Sequence, residues 1–180
     1  KIACDEFAHV PVKVVGNPYL EEIQSELQGL ATRHASPDGV VVLYVCEPVS
    51  EHALMRYGNR RHFGYVEEEA LSFFLDNLDA LRVKVGRIRI RPHPSEISGK
   101  YDWVTRDYNL PLEIVGKETL VQDIAASDVV VGCESMAMVV GLLANKRVIS
   151  CIPPQGPPCR LPHPQIEKLN EMRAAESARH

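Results

Sequence analysis

The feature that most constrains the fold is the stretch Leu120–Pro154, LVQDIAASDVVVGCESMAMVVGLLANKRVISCIPP. Its pattern predicts a short amphipathic helix ending near Ser127, a buried strand at 129–131 and a tight turn at Gly132. A nearly all-apolar helix follows, and then another strand at 148–151. Two strands that are joined through a helix run parallel in one sheet, so this stretch predicts part of a parallel α/β sheet.

The turn at Gly132 and Cys133 would present free backbone N–H groups at the start of the apolar helix. These groups have no partner within a helix, and the helix dipole adds partial positive charge, so such a turn can bind an anion. Ser135 lies in the first turn, where its hydroxyl can cap the helix or donate to a phosphate oxygen. The stretch alone favours equally an anion site and a simple turn with a cap.

Further strand and helix patterns occupy the rest of the chain. Strands are predicted at 40–46, 87–91 and 112–115, with a short strand or extended segment at 12–15, and helices at 19–33, 67–81 and from about Gln165 to the end. Near-continuous apolar strands that alternate with helices indicate an α/β fold: a doubly wound, Rossmann-like parallel sheet of about five strands.

The composition and charge of the chain argue against some classes of function. The 180 residues are 45% hydrophobic with a net charge of -4, which argues against sequence-independent binding of nucleic acid. The longest apolar run, 136–144, is shorter than the ~20 residues that a membrane span needs, and no N-terminal signal pattern occurs. We therefore expect a cytoplasmic protein, either free or peripheral at the inner face of the membrane.

Metal and cofactor motifs are not found. The five cysteines include no CxxC pair, and the seven histidines lack ligand spacing, so no metal site is expected. No GxGxxG follows the first strand and no Walker lysine motif occurs, so no dinucleotide cofactor is expected either. Cys133 at a helix start remains a minor alternative as a nucleophile, because thiol pKa values fall there.

Polar residues follow two of the predicted strands, at the edge where open α/β sheets bind ligands. Glu47 and Ser50 follow the strand at 40–46, and the Glu47 carboxylate would accept from a ribose hydroxyl or a base amine, or simply be solvated. Arg91 leads into His93, which Pro92 and Pro94 hold in a stiff loop.

A histidine in such a loop can donate to a phosphate oxygen, worth ~1.5 to 3 kcal/mol for a charge-assisted bond, or act as a general acid. Pro94 is expected to open a short helix at Ser95. Most of the arginines of the strand at 87–91 are expected to reach solvent between helices.

With His-Pro in one loop and strand-Gly-x-Glu-Ser-helix in another, the chain resembles the carboxyl-terminal, donor-binding half of GT-B fold glycosyltransferases. It is most similar to bacterial surface-polysaccharide transferases with an HP motif and a serine motif, such as sialyltransferases and polysialyltransferases, and more distantly to CDP-glycerol glycerophosphotransferases. The resemblance covers Val14 to about Pro154. It implies that His93 and Pro94 form the HP motif that contacts the donor phosphate, and that Ser135 makes a second phosphate contact.

The resemblance also implies roles for neighbouring residues. Glu47 and Ser50 would line the nucleoside, and Glu134 would turn to a ribose hydroxyl or pair with a cation such as Arg91. The resemblance divides the chain into the end of a preceding domain and a hinge (1–17), a nucleotide-sugar-binding domain (18–162) and a C-terminal helix (163–180). The apolar helix lacks the ribose-binding Glu of many UDP-sugar enzymes, which disfavours a UDP donor and a retaining mechanism.

We therefore expect the donor-binding domain of a larger glycosyltransferase for bacterial surface polysaccharide, with a CMP- or CDP-linked donor and a metal-independent, inverting mechanism. The glycan acceptor and the catalytic base would come from a missing N-terminal domain, so catalysis by this chain alone is left open. One alternative is a UDP-N-acetylglucosamine 2-epimerase-like enzyme. The other is a non-enzymatic module that binds a nucleotide or a partner protein.

Overall fold

The computed structural model describes residue 13, residues 15–30 and residues 37–177. Six parallel strands form one sheet in the order β3-β2-β1-β4-β5-β6. They are β1 (Val40–Val45), β2 (Val85–Arg91), β3 (Leu112–Ile114), β4 (Val129–Gly132), β5 (Arg147–Ser150) and β6 (Glu167–Lys168). The predicted α/β Rossmann-like sheet is confirmed, with six strands in place of about five.

Seven α-helices and one 3-10 segment are found among the described residues. They are α1 (Pro18–Gln28), α2 (Val49–Tyr57), α3 (Glu67–Leu75), the 3-10 segment Leu78–Leu81, α4 (Trp103–Asp107), α5 (Leu120–Ala125), α6 (Met136–Leu143) and α7 (Leu169–Ser177). No helix in these parts of the chain is long and apolar enough to cross a membrane.

Helices cover both faces of the sheet, because its central strands are apolar on both sides. In β1, Leu43 and Val45 belong to one buried cluster, whereas Val42 and Tyr44 belong to the other. The first cluster is completed by α1, α5 and α6. The second is completed by α3, the 3-10 segment, α4 and α7. The continuous apolar run of β1 is therefore buried on both faces, as its sequence indicates.

The strand order places a topological switch point between β1 and β4. From β1 the chain proceeds outward to β2 and β3, and it then returns to the other side of β1 to form β4, β5 and β6. Loops after β1 and β4 therefore leave the sheet side by side at its carboxyl edge. In open α/β sheets, ligands bind in the crevice at this position.

Several predicted element boundaries were wrong. No helix was predicted between the strand at 40–46 and residue 67, but α2 begins at Val49 and contains Ser50, and the helix predicted over 67–81 ends at Leu75 before the 3-10 segment. No helix opens at Ser95, where the chain forms turns. The terminal helix begins at Leu169, because Glu167 and Lys168 pair with β5 first.

Some predictions fall outside the described residues. Of the strand or extended segment predicted at 12–15, residues 12 and 14 are outside, and residues 13 and 15 are not in a strand. The final residues of the first predicted helix, 31–33, are also outside the described part of the chain.

Candidate functional site

A cleft of about 510 Å³ opens at the carboxyl edge of the sheet, beside the switch point. Five of its polar side chains come from four separate loops, and others come from α2. Glu47 follows β1, His93 follows β2, Glu134 and Ser135 follow β4, and Arg160 lies in the proline-rich segment after β5. The cleft therefore collects residues that are distant in sequence, as a ligand site at a switch point does.

Glu47 joins the loop after β1 to the loop after β4. Its Oε1 accepts the backbone N–H of Cys133 at 2.8 Å and that of Glu134 at 2.9 Å. These N–H groups precede α6 and have no helical partner, so they are the predicted anion site. The structure fills this site with the side-chain carboxyl group of Glu47.

The carboxyl group of Glu47 has an unusual acidity. Burial raises its pKa to about 7 although the N–H groups of Glu134 and Cys133 lower it, and the charge of Glu134 raises it further. Because the group changes charge near neutral pH, it can either donate or accept a proton in the cleft.

Ser135 is the N-cap of α6. Its backbone is extended, with φ −87° and ψ 158°, and its Oγ accepts the N–H of Ala137 at 3.2 Å. The hydroxyl proton is not used by that bond, so Ser135 can cap the helix and still donate to a ligand in the cleft. Both roles predicted for the Ser135 hydroxyl, capping the helix and donating to a phosphate oxygen, are therefore compatible with this geometry.

Gly132 sets the close approach of β4 to β1 at this turn. A Cβ atom at this position would lie 2.8 Å from Val45 Cγ2 and 3.3 Å from Met138 Cγ, inside van der Waals contact distance. The glycine therefore supports the site through packing, beneath the N–H groups that Glu47 contacts.

Glu134 is paired with Arg160 at the rim of the cleft. Its Oε1 accepts from Nε and Nη2 of Arg160 at 3.0 and 2.7 Å, and its Oε2 accepts the backbone N–H of Arg160 at 2.7 Å. The expected partner, Arg91, pairs elsewhere. The pair with Arg160 fixes the proline-rich segment against the start of α6.

His93 is held by the residues that follow it. Its Nδ1 accepts the backbone N–H of Ser95 at 3.2 Å and contacts Ser95 Oγ at 2.8 Å, while its own backbone N–H donates to Glu96 Oε2 at 2.8 Å. Since Nδ1 is an acceptor, the neutral ring carries its proton on Nε2. His93 therefore has one N–H group left to donate to a ligand.

A buried ionic network lies behind this loop. Lys100 donates to Glu96 Oε1 at 2.8 Å and to Glu67 Oε1, and Tyr101 OH donates to Glu96 Oε1 at 2.7 Å. Burial opposes the charge of Lys100, but the hydrogen bonds and charges of Glu67 and Glu96 raise its pKa above the ordinary value. The network links the His93 loop to the start of α3.

Four predicted site residues do not line the cleft: Gly132, which packs beneath it, and Ser50, Arg91 and Pro94. Ser50 is fully buried, where its N–H and Oγ each donate to Glu67 at 2.9 Å. Arg91 donates to the buried Asp123 and, at 2.9 Å, to the carbonyl of Glu118. Pro94 is exposed in the turn after His93.

The arginines of β2 also differ from expectation. Arg89 Nη2 donates to Asp123 Oδ1 at 2.7 Å, and both Arg89 and Arg91 have side chains only 15% exposed. The carboxylate of Asp123 is 1% exposed. Two of the three arginines are therefore drawn inward by one buried acid instead of reaching solvent.

One wall of the cleft is aromatic and was missed by the sequence analysis. Tyr57 stacks on His62 with ring centroids 3.6 Å apart and planes at 6°, and Phe63 meets Tyr57 edge-on at 5.7 Å. Tyr57, Phe63 and Tyr65 line the cleft. The density of aromatic residues in YGNRRHFGY, residues 57–65, was the available signal, but it lay between predicted elements.

Cys133 has a buried thiol. A hydrogen bond with Cys151 and burial raise its pKa well above the ordinary value, so the thiol stays protonated at neutral pH. This environment disfavours the minor alternative of a nucleophilic cysteine. Within residues 13, 15–30 and 37–177, no group of three or more His, Cys, Asp or Glu side chains is arranged to hold a metal ion.

Comparisons with known proteins give distant structural similarity only. No family model and no curated protein matches the sequence. KpsC of Thermosulfurimonas dismutans, a beta Kdo 2,4 transferase, is 15% identical with a TM-score of 0.48, over 86% of this chain and 50% of that chain. KpsC, beta Kdo 2,7 transferase, of the same organism is 16% identical with a TM-score of 0.48, over 86% and 46%. This chain spans about half the length of these proteins.

Proposed function

We propose that the cleft binds the nucleotide-sugar donor of a bacterial surface-polysaccharide glycosyltransferase, with a CMP- or CDP-linked sugar. The observation that carries this assignment is the position of His93, which lines a cleft at the switch point of a Rossmann-like sheet while its Nδ1 is engaged by Ser95. The HP motif of residues 93 and 94 and the serine at position 135 support it, because both match the resemblance to donor-binding halves of GT-B enzymes.

His93 and Ser135 are the proposed phosphate contacts. Both line the cleft, and among the described residues neither the Nε2–H of His93 nor the hydroxyl proton of Ser135 is donated to another group. Donors of this kind bind phosphate oxygens, and a charge-assisted bond contributes ~1.5 to 3 kcal/mol.

The aromatic wall is the proposed contact for the base or the sugar. Tyr57 and Phe63 offer ring surface to the cleft, and stacking of a base on an aromatic side chain is worth ~1 to 3 kcal/mol. Arg56 also lines the cleft and adds positive charge for an anionic donor, whereas the charge of Arg160 is balanced by Glu134. This combination of rings and positive charge suits a nucleotide better than a neutral metabolite.

In the proposed reaction, the acceptor hydroxyl displaces the nucleotide in line at the sugar carbon, which inverts its configuration. Negative charge grows on the departing phosphate oxygen as the glycosidic bond breaks, and a hydrogen bond from His93 would stabilise it. The base that removes the acceptor proton would come from another part of the full enzyme. Calorimetric titration with nucleotides, comparing the unchanged protein with His93→Ala, tests this proposal.

A further inference from the structure

Glu47 presents an electrostatic problem for any anionic ligand of the cleft. It lines the cleft together with Glu134, whose charge is compensated by Arg160. Among the described residues, no lysine or arginine forms an ion pair with Glu47, and its partners are backbone N–H groups: those of Cys133 and Glu134 donate to Oε1, and that of Ser135 lies close enough to favour the ionised form. An ionised Glu47 would therefore repel a phosphate group in the same cleft.

The surroundings of Glu47 can be given element by element. The titratable and charged groups that share the cleft or act on Glu47 are His52, Arg56 and Tyr57 on α2, Tyr65 before α3, His93 after β2, Cys133 and Glu134 after β4, and Arg160 after β5. The cations face the open cleft, and Arg160 is engaged by Glu134. The carboxyl group itself is held against two backbone N–H groups and is partly buried.

Given the proposed function, we propose that Glu47 contacts the donor phosphate as a neutral carboxylic acid, donating from Oε2 while Oε1 stays bound to the backbone of Cys133 and Glu134. Binding of the nucleotide then takes up one proton from solution. The acid becomes a hydrogen-bond donor in the complex, which removes the repulsion and adds a phosphate contact.

Two features of Glu47 support this protonation. Burial and the charge of Glu134 already raise its pKa to about 7 without a ligand. A phosphate anion brought close to the carboxyl group would raise the pKa further, since like charges disfavour the ionised form. Because nucleotide binding is coupled to protonation of Glu47, nucleotide affinity should fall as pH rises through 7. The fall should be about tenfold per pH unit once Glu47 is ionised in the unliganded protein.

The test is calorimetric titration with CMP and CDP at pH 6, 7 and 8, each in two buffers that differ in ionisation enthalpy. For a free pKa of about 7 and a fully protonated complex, we expect uptake of about 0.1, 0.5 and 0.9 proton per nucleotide. Glu47→Gln keeps a side-chain oxygen that can accept the two N–H groups. This variant should still bind the nucleotides, but binding should no longer take up a proton at pH 8. Glu22→Gln makes the same change on the exposed side of α1 and should behave as the unchanged protein.

Proton uptake by other groups must be distinguished from proton uptake by Glu47. Uptake by His52, His93 or the nucleotide phosphate would survive in Glu47→Gln, and that result would overturn the proposal, as would nucleotide binding without uptake. Thermal melting checks that Glu47→Gln is folded. Glu134→Gln is a second test. Loss of this neighbouring negative charge should lower the pKa of Glu47, so the midpoint of proton uptake should move to lower pH. An unchanged midpoint would contradict the proposal. Absence of nucleotide binding at every pH would instead refute the proposed function.

Discussion

Glu47 Oε1 accepts the backbone N–H of Cys133 at 2.8 Å, and this bond joins the loop after β1 to the loop after β4 across the switch point. The same oxygen accepts the N–H of Glu134. The chain therefore satisfies the free N–H groups ahead of α6 with one of its own acids. As a result, the electrostatics of the cleft depend on the charge of that acid.

The raised pKa of Glu47 predicts a loss of stability as pH increases. Its native pKa of about 7 lies above the ordinary 4.5, so the native state binds more protons than the unfolded state between these values. The contribution is fully present below pH 4.5 and is lost as pH rises through 7, amounting to about 3 kcal/mol at 1.36 kcal/mol per pKa unit.

Urea denaturation of the unchanged protein and of Glu47→Gln from pH 4.5 to 8 measures this contribution. The difference between their free energies of unfolding should shift in favour of the glutamine variant as pH rises, because glutamine does not titrate. A difference that stays constant across this range would show that Glu47 has an ordinary pKa.

Replacing Lys100 by methionine should destabilise the protein by about 3 to 5 kcal/mol, because it leaves the buried carboxylates of Glu67 and Glu96 without their cation. Lys117→Met is the matched control, since Lys117 is exposed. Urea denaturation compares the two variants. Equal stability of Lys100→Met and Lys117→Met would contradict the role given to the ionic network.

Replacing Gly132 by alanine should cost about 1 to 3 kcal/mol, because the added methyl group overlaps Val45 and Met138 in a packed core. Gly29→Ala is the control: its nearest neighbour would be 3.5 Å away and its φ of −82° suits alanine. Thermal melting should show a lower melting temperature for Gly132→Ala only. Equal melting temperatures would mean that β4 and β1 are less closely packed than described.

The sheet could be predicted from sequence because its strands are apolar on both faces. Val40–Val45 and Val129–Gly132 are short runs rich in β-branched residues, which favour strands that are buried on both faces. By contrast, β6 has only two residues, and its pairing with β5 depends on tertiary contacts that no local pattern encodes.

The site was predictable only in part. Strand ends identified Glu47, His93, Glu134 and Ser135, because parallel strands present their carboxyl ends at one edge. Side-chain pairing was not predictable, since it depends on distances between loops. The partner of Glu134 is 26 residues away in the chain, at Arg160.

Arg91 and Ser50 show the same limit. Arg91 ends β2 and Ser50 comes after β1, but each side chain is drawn away from the cleft by an acid, Asp123 and Glu67 respectively. For both residues the sequence indicates only that they lie near the carboxyl edge of the sheet. The direction of each side chain depends on a buried acid that becomes a neighbour only in the folded chain.

We propose, as the central claim, that His93 holds a nucleotide phosphate in this cleft. The most direct measurement is calorimetric titration with CMP, CDP, UDP and ADP, without metal and again with magnesium, of the unchanged protein, His93→Ala and the control His163→Ala. His163 lies outside the lining of the cleft.

We expect saturable binding of a cytidine nucleotide without metal, weakened by ~1.5 to 3 kcal/mol, about 10- to 150-fold, in His93→Ala and unchanged in His163→Ala. A preference for UDP would contradict the donor class and favour the epimerase-like alternative. Failure of all four nucleotides to bind, or equal binding by His93→Ala, would contradict the central claim.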